Sequence, residues 1–483
     1  MVDFRPVAHP IGKIIVTLGA SMLGPMLVDW WHGDPHWAVF LQCAVLTGVA
    51  GTLVSVATWG NYRSLSIQQA FLLTSGLWAV LPVFGALPFM LGQPGARFVD
   101  AYFEAMSGVT TTGTTAFPLL DDLPRGTHLW RATLQWIGGL GIVVVAMVFL
   151  PIMKVGGMQF FRSEGFDTLG KIMPRAPQIA AEMTRIYIML TAAATVTYLL
   201  LGMTGFDAIV HAFSTISTGG FSNYDASFGA FLGPLEWAGS VFMILASIPF
   251  IRLVQAMHGN MTPMWRDAQI RAYLRWIGYA CGIVLVYRIV FLQHQGNFAE
   301  MARETVFNVI STFSGTGFAS TNVLEWGHLP LAILIICGLI GGCTGSTGCS
   351  VKVFRYLVLF QAVRAQLRRM HSPHRVYALR YEGRPLNQDV IDSVMAFFTL
   401  FMLTFGLLIV GLALTGLHPR TALTGAWTAI ANIGPAWGPE ITGNGSISRF
   451  PDSAKWLMIL GMYLGRLELV SVLVLLLPRF WRG

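Results

Sequence analysis

The sequence predicts an all-α polytopic membrane protein built from four tandem span, re-entrant loop, span repeats around one axis, plus two extra N-terminal spans. Three observations predict it. The 483 residues are 54% hydrophobic and only 11% charged, whereas soluble domains are roughly 25% charged. Apolar runs recur along the whole chain at lengths near the ~20 residues that a membrane-crossing helix needs. The stretch from Asp100 to Thr114, DAYFEAMSGVTTTGT, has three later counterparts.

Aligned on Gly113, the counterparts fall at Gly220 (DAIVHAFSTISTGGF), Gly317 (ETVFNVISTFSGTGF) and Gly434 (TALTGAWTAIANIGP). Thirteen positions before each glycine stands a helix-starting residue type: Asp100, Asp207, Glu304 and Thr421. Six before it the column reads Ser107, Ser214, Ser311, Thr428, and four before it Val109, Ile216, Phe313, Ile430. Matched columns at this regular separation mark an internal repeat. Each copy reads as a helix of about ten residues running into an extended Thr/Ser/Gly segment, too short to cross a bilayer.

Irregular backbone at membrane depth is tolerated only where it is buried in protein or lines water, and a helix C-terminus carries about half a negative charge. Four such ends around one pore would hold a cation, with backbone carbonyls replacing its water shell. Glycine lets those carbonyls face the axis without a β-carbon in the way. The residues expected to face the ion are Thr110, Thr111, Thr112 and Gly113; Ser217, Thr218, Gly219 and Gly220; Ser314, Gly315, Thr316 and Gly317; and Ala431, Asn432, Ile433 and Gly434. The competing reading is plain helix capping, which has no use for matched glycine and hydroxyl columns.

The chain opens with spans at 12–30 and 37–59, joined by DWWHGDPHW, whose tryptophans suit a membrane interface. This pair, within 1–66, lacks a re-entrant segment. Arg5 and Lys13 ahead of an apolar run imitate a signal peptide, but a second span follows, so the first reads as uncleaved. Repeat 1 (67–180) has spans at 68–91 and 131–150, and repeat 2 (181–272) at 183–203 and 235–257. Repeat 3 (273–389) has spans at 274–292 and 329–362 and then a basic loop. Repeat 4 (390–483) has spans at 391–415 and 455–477.

Loop charge sets the orientation. Loops after the re-entrant segments carry seven acids, among them Asp121, Asp122, Asp225, Glu325 and Glu440, against Arg125 and Arg449. On the other side, Lys352 to Asp389 carries eight basic residues against Glu382 and Asp389. The positive-inside rule places that loop and both termini in the cytoplasm, and it explains the net charge of +8 without nucleic acid.

The second span of repeat 3 contains GLIGGCTGSTGCSVK, which no membrane helix should hold unsupported. A broken helix is expected there, with a loop under the re-entrant segments. Close packing of helices through small residues is the alternative. The glycines do not match the G-x-x-x-x-G-K-[ST] phosphate loop. Arg466 lies inside the last span, where a charge costs ~2.5–3.5 kcal/mol on insertion scales and marks a functional site by default. It is expected to line the ion path beside the glycine loop. The alternatives are snorkelling, or a distorted pair with Glu468.

No convergent nucleophile, acid-base pair or metal cluster appears, so an enzyme is not expected. His211 stands alone, and Cys43, Cys281, Cys337, Cys343 and Cys349 show neither a disulfide framework nor zinc spacing. No cofactor is expected in the chain itself.

The chain resembles the TrkH/TrkG branch of the Trk/Ktr/HKT potassium transporters over nearly its whole length. The resemblance rests on QWIGGLGIVVVAMVFLP (135–151), VGGMQFFRSEG (155–165), STGGF (217–221), GGCTGSTG (341–348), ANIGP (431–435) and LGRLE (464–468). It implies potassium (K+) uptake across the bacterial inner membrane, a homodimer with one pore per subunit in the lipid bilayer, and a cytosolic ring of nucleotide-binding TrkA subunits. It also implies an intramembrane gate at Gly342, Thr344, Gly345, Ser346, Thr347 and Gly348, contacted by Arg466. Two departures stand out: SGTGF where TTTGF is commoner, and Ala436 and Trp437 where the family usually has GLG. Coupling to protons or sodium, with mixed K+/Na+ selectivity, is the alternative mode. The cytoplasmic arginines Arg368, Arg369, Arg375 and Arg380 are a candidate docking surface for the partner, or a purely topogenic cluster.

Overall fold

A computed structural model describes residues 3–60, 65–148, 176–291, 297–372 and 379–481. Arg375, the 155–165 stretch and the end of the 135–151 stretch lie outside the described residues. Among the described residues, six helices are long and apolar enough to cross a membrane, and eight when each of two bent pairs is taken as one span.

The N-terminal pair consists of α1 (Arg5–Ser21) continued by α2 (Leu23–Trp31), and α3 (Trp37–Ala57). Small residues let them touch backbone to backbone. A β-carbon on Gly12 would sit 2.7 Å from Ser55 N, and one on Gly51 2.7 Å from Gly12 O. Without a hydrophobic force between helices in lipid, such close packing is what holds a pair together.

Repeat 1 comprises α4 (Ile67–Gly85), α5 (Leu87–Leu91), the short α6 (Phe98–Val109) and α7 (Arg125–Val148). Ser66 starts α4 with a capping box to Gln69. Repeat 2 comprises α8 (Ala176–Leu200), the short α9 (Gly205–Ile216), α10 (Pro234–Ser247) and α11 (Phe250–Met257), with α12 (Thr262–Arg266) leading onward. Repeat 3 comprises α13 (Ala268–Phe291), α14 (Phe298–Ser314), α15 (His328–Ile340) and α16 (Val353–His371). Repeat 4 comprises α17 (Gln388–Leu414), the short α18 (Pro419–Ala431), α19 (Asp452–Arg466) and α20 (Val470–Leu473).

Several elements differ from expectation. The 235–257 span is not one helix: α10 and α11 meet at 99°. Pro249 donates no backbone hydrogen bond and forces Ile248 into an extended conformation (φ −91°, ψ 158°). The 455–477 span also breaks, by 103° after Arg466, where Glu468 and Leu469 turn left-handed. Glu304 does not start its helix, because Asn297 caps α14 through Ala299 N at 3.1 Å. Glu304 lies mid-helix and pairs with Arg288 at 2.9 Å. After α16 a small antiparallel hairpin, β1 (Arg380–Tyr381) and β2 (Arg384–Pro385), was not foreseen. The break in the second span of repeat 3 lies at residues 341–352, where it was expected.

Candidate functional site

The four short helices α6, α9, α14 and α18 end in the four glycine segments, and these segments meet. A β-carbon on Gly113 would collide with the Gly219 carbonyl oxygen, one on Gly220 with that of Thr316, and one on Gly317 with that of Ile433. One on Gly434 would lie 2.8 Å from that of Thr112. Each glycine therefore abuts the carbonyl that precedes the glycine of the next repeat, and the fourth contact returns to the first. The segments close into a ring. A cavity of about 110 Å³ opens on all four glycines, with Asp225 in its wall.

The backbone is left-handed at each glycine (φ 90°, 76°, 79° and 111°) and again two residues earlier, at Thr111 (53°), Thr218 (52°), Gly315 (82°) and Asn432 (52°). Gly and Asn adopt this region cheaply. Threonine does not, and such residues cost ~1–3 kcal/mol each, persisting only where the surroundings over-determine them.

The hydroxyl column supplies part of that determination. Ser107 Oγ accepts from Gly113 N at 3.1 Å and donates to Thr114 O at 2.6 Å. Thr428 Oγ1 accepts from Gly434 N at 2.8 Å, and Ser311 Oγ donates to Phe318 O at 2.7 Å. Ser214 instead donates to Gln135 Oε1 at 2.8 Å. Between repeats, Asn432 Nδ2 donates to Thr112 Oγ1 at 2.9 Å, and Thr114 Oγ1 donates to Gly434 O at 2.6 Å. Thr110, Ser217, Ser314 and Ala431 are all buried one residue further in.

The glycine loop lies directly beneath this ring. A β-carbon on Gly348 would be 3.1 Å from Ser314 O, and Cys349 Sγ lies 3.7 Å from Thr111 Oγ1. Thr344, Ser346 and Thr347 are buried. The break between α10 and α11 docks one side of the loop: Cys343 N donates to Ser247 O, and Phe250 N to Gly345 O, both at 2.9 Å. Thr347 Oγ1 also donates to Ala246 O at 2.9 Å, and Thr344 N to Gln269 Oε1 at 2.9 Å. On the other side Arg466 donates to Thr347 O and Gly138 O, each at 3.4 Å, and contacts Cys349 Sγ. Arg466 neither snorkels nor pairs with Glu468. Glu468 instead binds Lys352 at 3.2 Å and also Arg355, both buried.

On the side of the ring away from the glycine loop, the loop acids are structurally engaged. Asp225 accepts from Leu120 N at 2.9 Å and Asn444 Nδ2 at 2.8 Å. Slight burial pushes the Glu440 carboxyl up, but hydrogen bonds from Thr421 and the His418 N–H outweigh it and hold the group below the usual carboxylate range. Trp437 stacks on Trp427 at 5.2 Å. His211 is a buried structural residue, bonded to Asp207 O at 2.9 Å and Ser222 Oγ at 3.0 Å.

Residues 36–482 match the model of the TrkH family, described as cation transport protein. The chain belongs to the TrkH family. It is 38% identical over 481 residues to the Trk system potassium uptake protein TrkI of Halomonas elongata, covering 99% of this chain and 97% of that protein. It is 34% identical to the Trk system potassium uptake protein TrkH of Escherichia coli, covering 99% of each. Its fold superposes on the crystal structure of the potassium transporter TrkH from Vibrio parahaemolyticus with a TM-score of 0.92, at 31% identity over 100% of both chains. Membership of the TrkH family makes the chain an ion-transporting membrane protein.

Some residues of this TrkH-family site escaped sequence reasoning. Glu104 and Arg131, both buried, pair at 2.8 Å behind the first segment, and Arg131 also reaches Ser222 O at 2.9 Å. Lys352, Arg355 and Gln135 were likewise missed. A charge within an apolar span was the available signal for Arg131, Lys352 and Arg355, and one inside a re-entrant helix for Glu104. Gln135 had none beyond its place in a glycine-rich run.

Proposed function

We propose that this chain takes up potassium across the bacterial inner membrane through the ring of glycine segments, with the loop at 342–348 closing the path beneath it. The observation that carries the reading is the cyclic contact of the four glycines with the carbonyls of Gly219, Thr316, Ile433 and Thr112. An ion shedding its water there meets backbone oxygens on four sides, at the negative ends of four short helices. Beneath the ring, Arg466 supports the loop and adds a positive charge that opposes cation passage while the loop is in place. The names of the TrkI and TrkH relatives agree with potassium as the cargo.

In this reading two copies pair, each with its own path, and both termini are cytoplasmic. A cytosolic, nucleotide-binding TrkA-type subunit regulates the gate by docking at the basic end of α16, where Arg364, Arg368 and Arg369 are exposed. The test is cation flux into proteoliposomes of the purified chain, with and without a proton or sodium gradient. Potassium flux down its own gradient is expected. A strict requirement for an inward proton or sodium gradient would move the protein to coupled symport, and absence of any cation flux would remove the reading.

A further inference from the structure

We propose that Gln135 is a specificity-determining residue, which sets the ion preference of the ring by holding one of its four carbonyls; the inference rests on the ring being the ion filter. Gln135, on α7, is fully buried behind the second segment. Its Nε2 donates to Gly219 O at 2.6 Å, while its Oε1 accepts from Ser214 Oγ at 2.8 Å and from Phe221 N at 3.2 Å. The orientation of the amide follows from its partners, because the Phe221 N–H can only donate and so must face Oε1. One side chain thus brackets Gly220, gripping the carbonyl of the peptide before it and the N–H of the peptide after it.

The other repeats do this differently. In repeats 1 and 4 a hydroxyl on the short helix takes the glycine N–H. Among the described residues no hydrogen bond reaches the carbonyls of Thr112, Thr316 or Ile433. Gly219 O is the exception. Of the four oxygens that abut a neighbouring glycine, it alone shares its lone pairs with a side-chain donor. The fit is close, since a β-carbon on Gly219 would run into the Gln135 amide.

Two consequences follow for an ion in the ring. A carbonyl oxygen has two lone pairs, and one that already accepts an N–H offers a weaker field to a cation. A carbonyl held from behind also cannot tilt inward to close on a smaller ion. Selectivity between K+ and Na+ depends on cavity size and on the number and field strength of the carbonyl dipoles. A weaker and stiffer fourth ligand therefore disfavours Na+, the ion that needs the tighter and stronger cage.

The test is the K+ over Na+ preference of the full-length protein in proteoliposomes, for Gln135→Met, which keeps the length and loses the donor, and for Gln135→Asn, which keeps the amide and loses the reach. Both variants should retain K+ flux while the preference falls about two- to tenfold, the factor one neutral hydrogen bond commands. Gly113→Ser is measured alongside to test the ring itself. If Gly113→Ser shifts the preference and both Gln135 variants keep the parental value, the ring stands and the role of Gln135 is overturned. If none of the three shifts it, both ideas fall. K+ flux reduced with the preference intact, or failure of both variants to fold, would assign Gln135 to the framework and overturn the inference equally.

Discussion

Gly113 shows how one missing β-carbon constrains a site. Its backbone is left-handed at φ 90° and its α-carbon lies against the Gly219 carbonyl, so any side chain there strains the backbone and displaces a ring oxygen together. Gly113→Ser is expected to lower the K+ over Na+ preference, and Gly220→Ser to do the same through Thr316 O. Relative permeability measured under mixed-ion gradients decides it, and unchanged values in both variants would remove the assignment. The glycines were legible in the sequence because a backbone constraint repeated four times leaves four matched columns. Their supports were not. Gln135 is separated from Gly219 by 84 residues and Lys352 from Glu468 by 116, and partnership over such distances leaves no local period. The same holds for Thr111 and Thr218, whose left-handed backbone is imposed by surroundings against the preference of a β-branched residue.

At the level of elements, the three broken second spans form one device. The loop between α15 and α16 is held on one side by the break between α10 and α11, and on the other by the break after α19. Only the glycine-rich break was read from sequence. Pro249 could have announced the second, but the third turns on Glu468, whose two cationic partners arrive from α16 and the residue before it. Deleting Gly345 to Thr347 removes the segment that blocks the path in the proposed reading, together with its bonds to Ala246 and Phe250, without touching the ring. Flux should rise while ion preference stays as it was; a folded deletion that conducts no faster would make the loop structural. Glu468→Gln removes the carboxylate charge that Lys352 and Arg355 share, and breaking a buried pair in this way costs ~3–5 kcal/mol. We expect a lower melting temperature in detergent and a leakier path, and an unaltered melting curve would show that the pair does not latch the loop.

For the whole molecule, the question is how a signal reaches a loop buried at the centre. α16 begins at Val353, immediately after the loop and beside Lys352, and ends at His371 with Arg364, Arg368 and Arg369 exposed. A helix of 19 residues spans about 28 Å at 1.5 Å per residue, so in the proposed reading a pull at its basic end would be delivered to the buried charges around Glu468. A partner can bias the gate only if it binds the two positions of this helix with different affinity. The positive-inside rule alone would also place arginines here, and the sequence could not separate the two origins of the cluster. Charge reversal separates them. Arg368→Glu with Arg369→Glu should leave folding, orientation and basal ion preference intact, since neither side chain touches the ring. It should weaken binding of a TrkA-type subunit about tenfold or more and abolish the response of flux to nucleotide, as the loss of two interfacial charges implies. Partner affinity unchanged in titration, with nucleotide response retained in proteoliposomes, would show that this arginine cluster is not the docking surface.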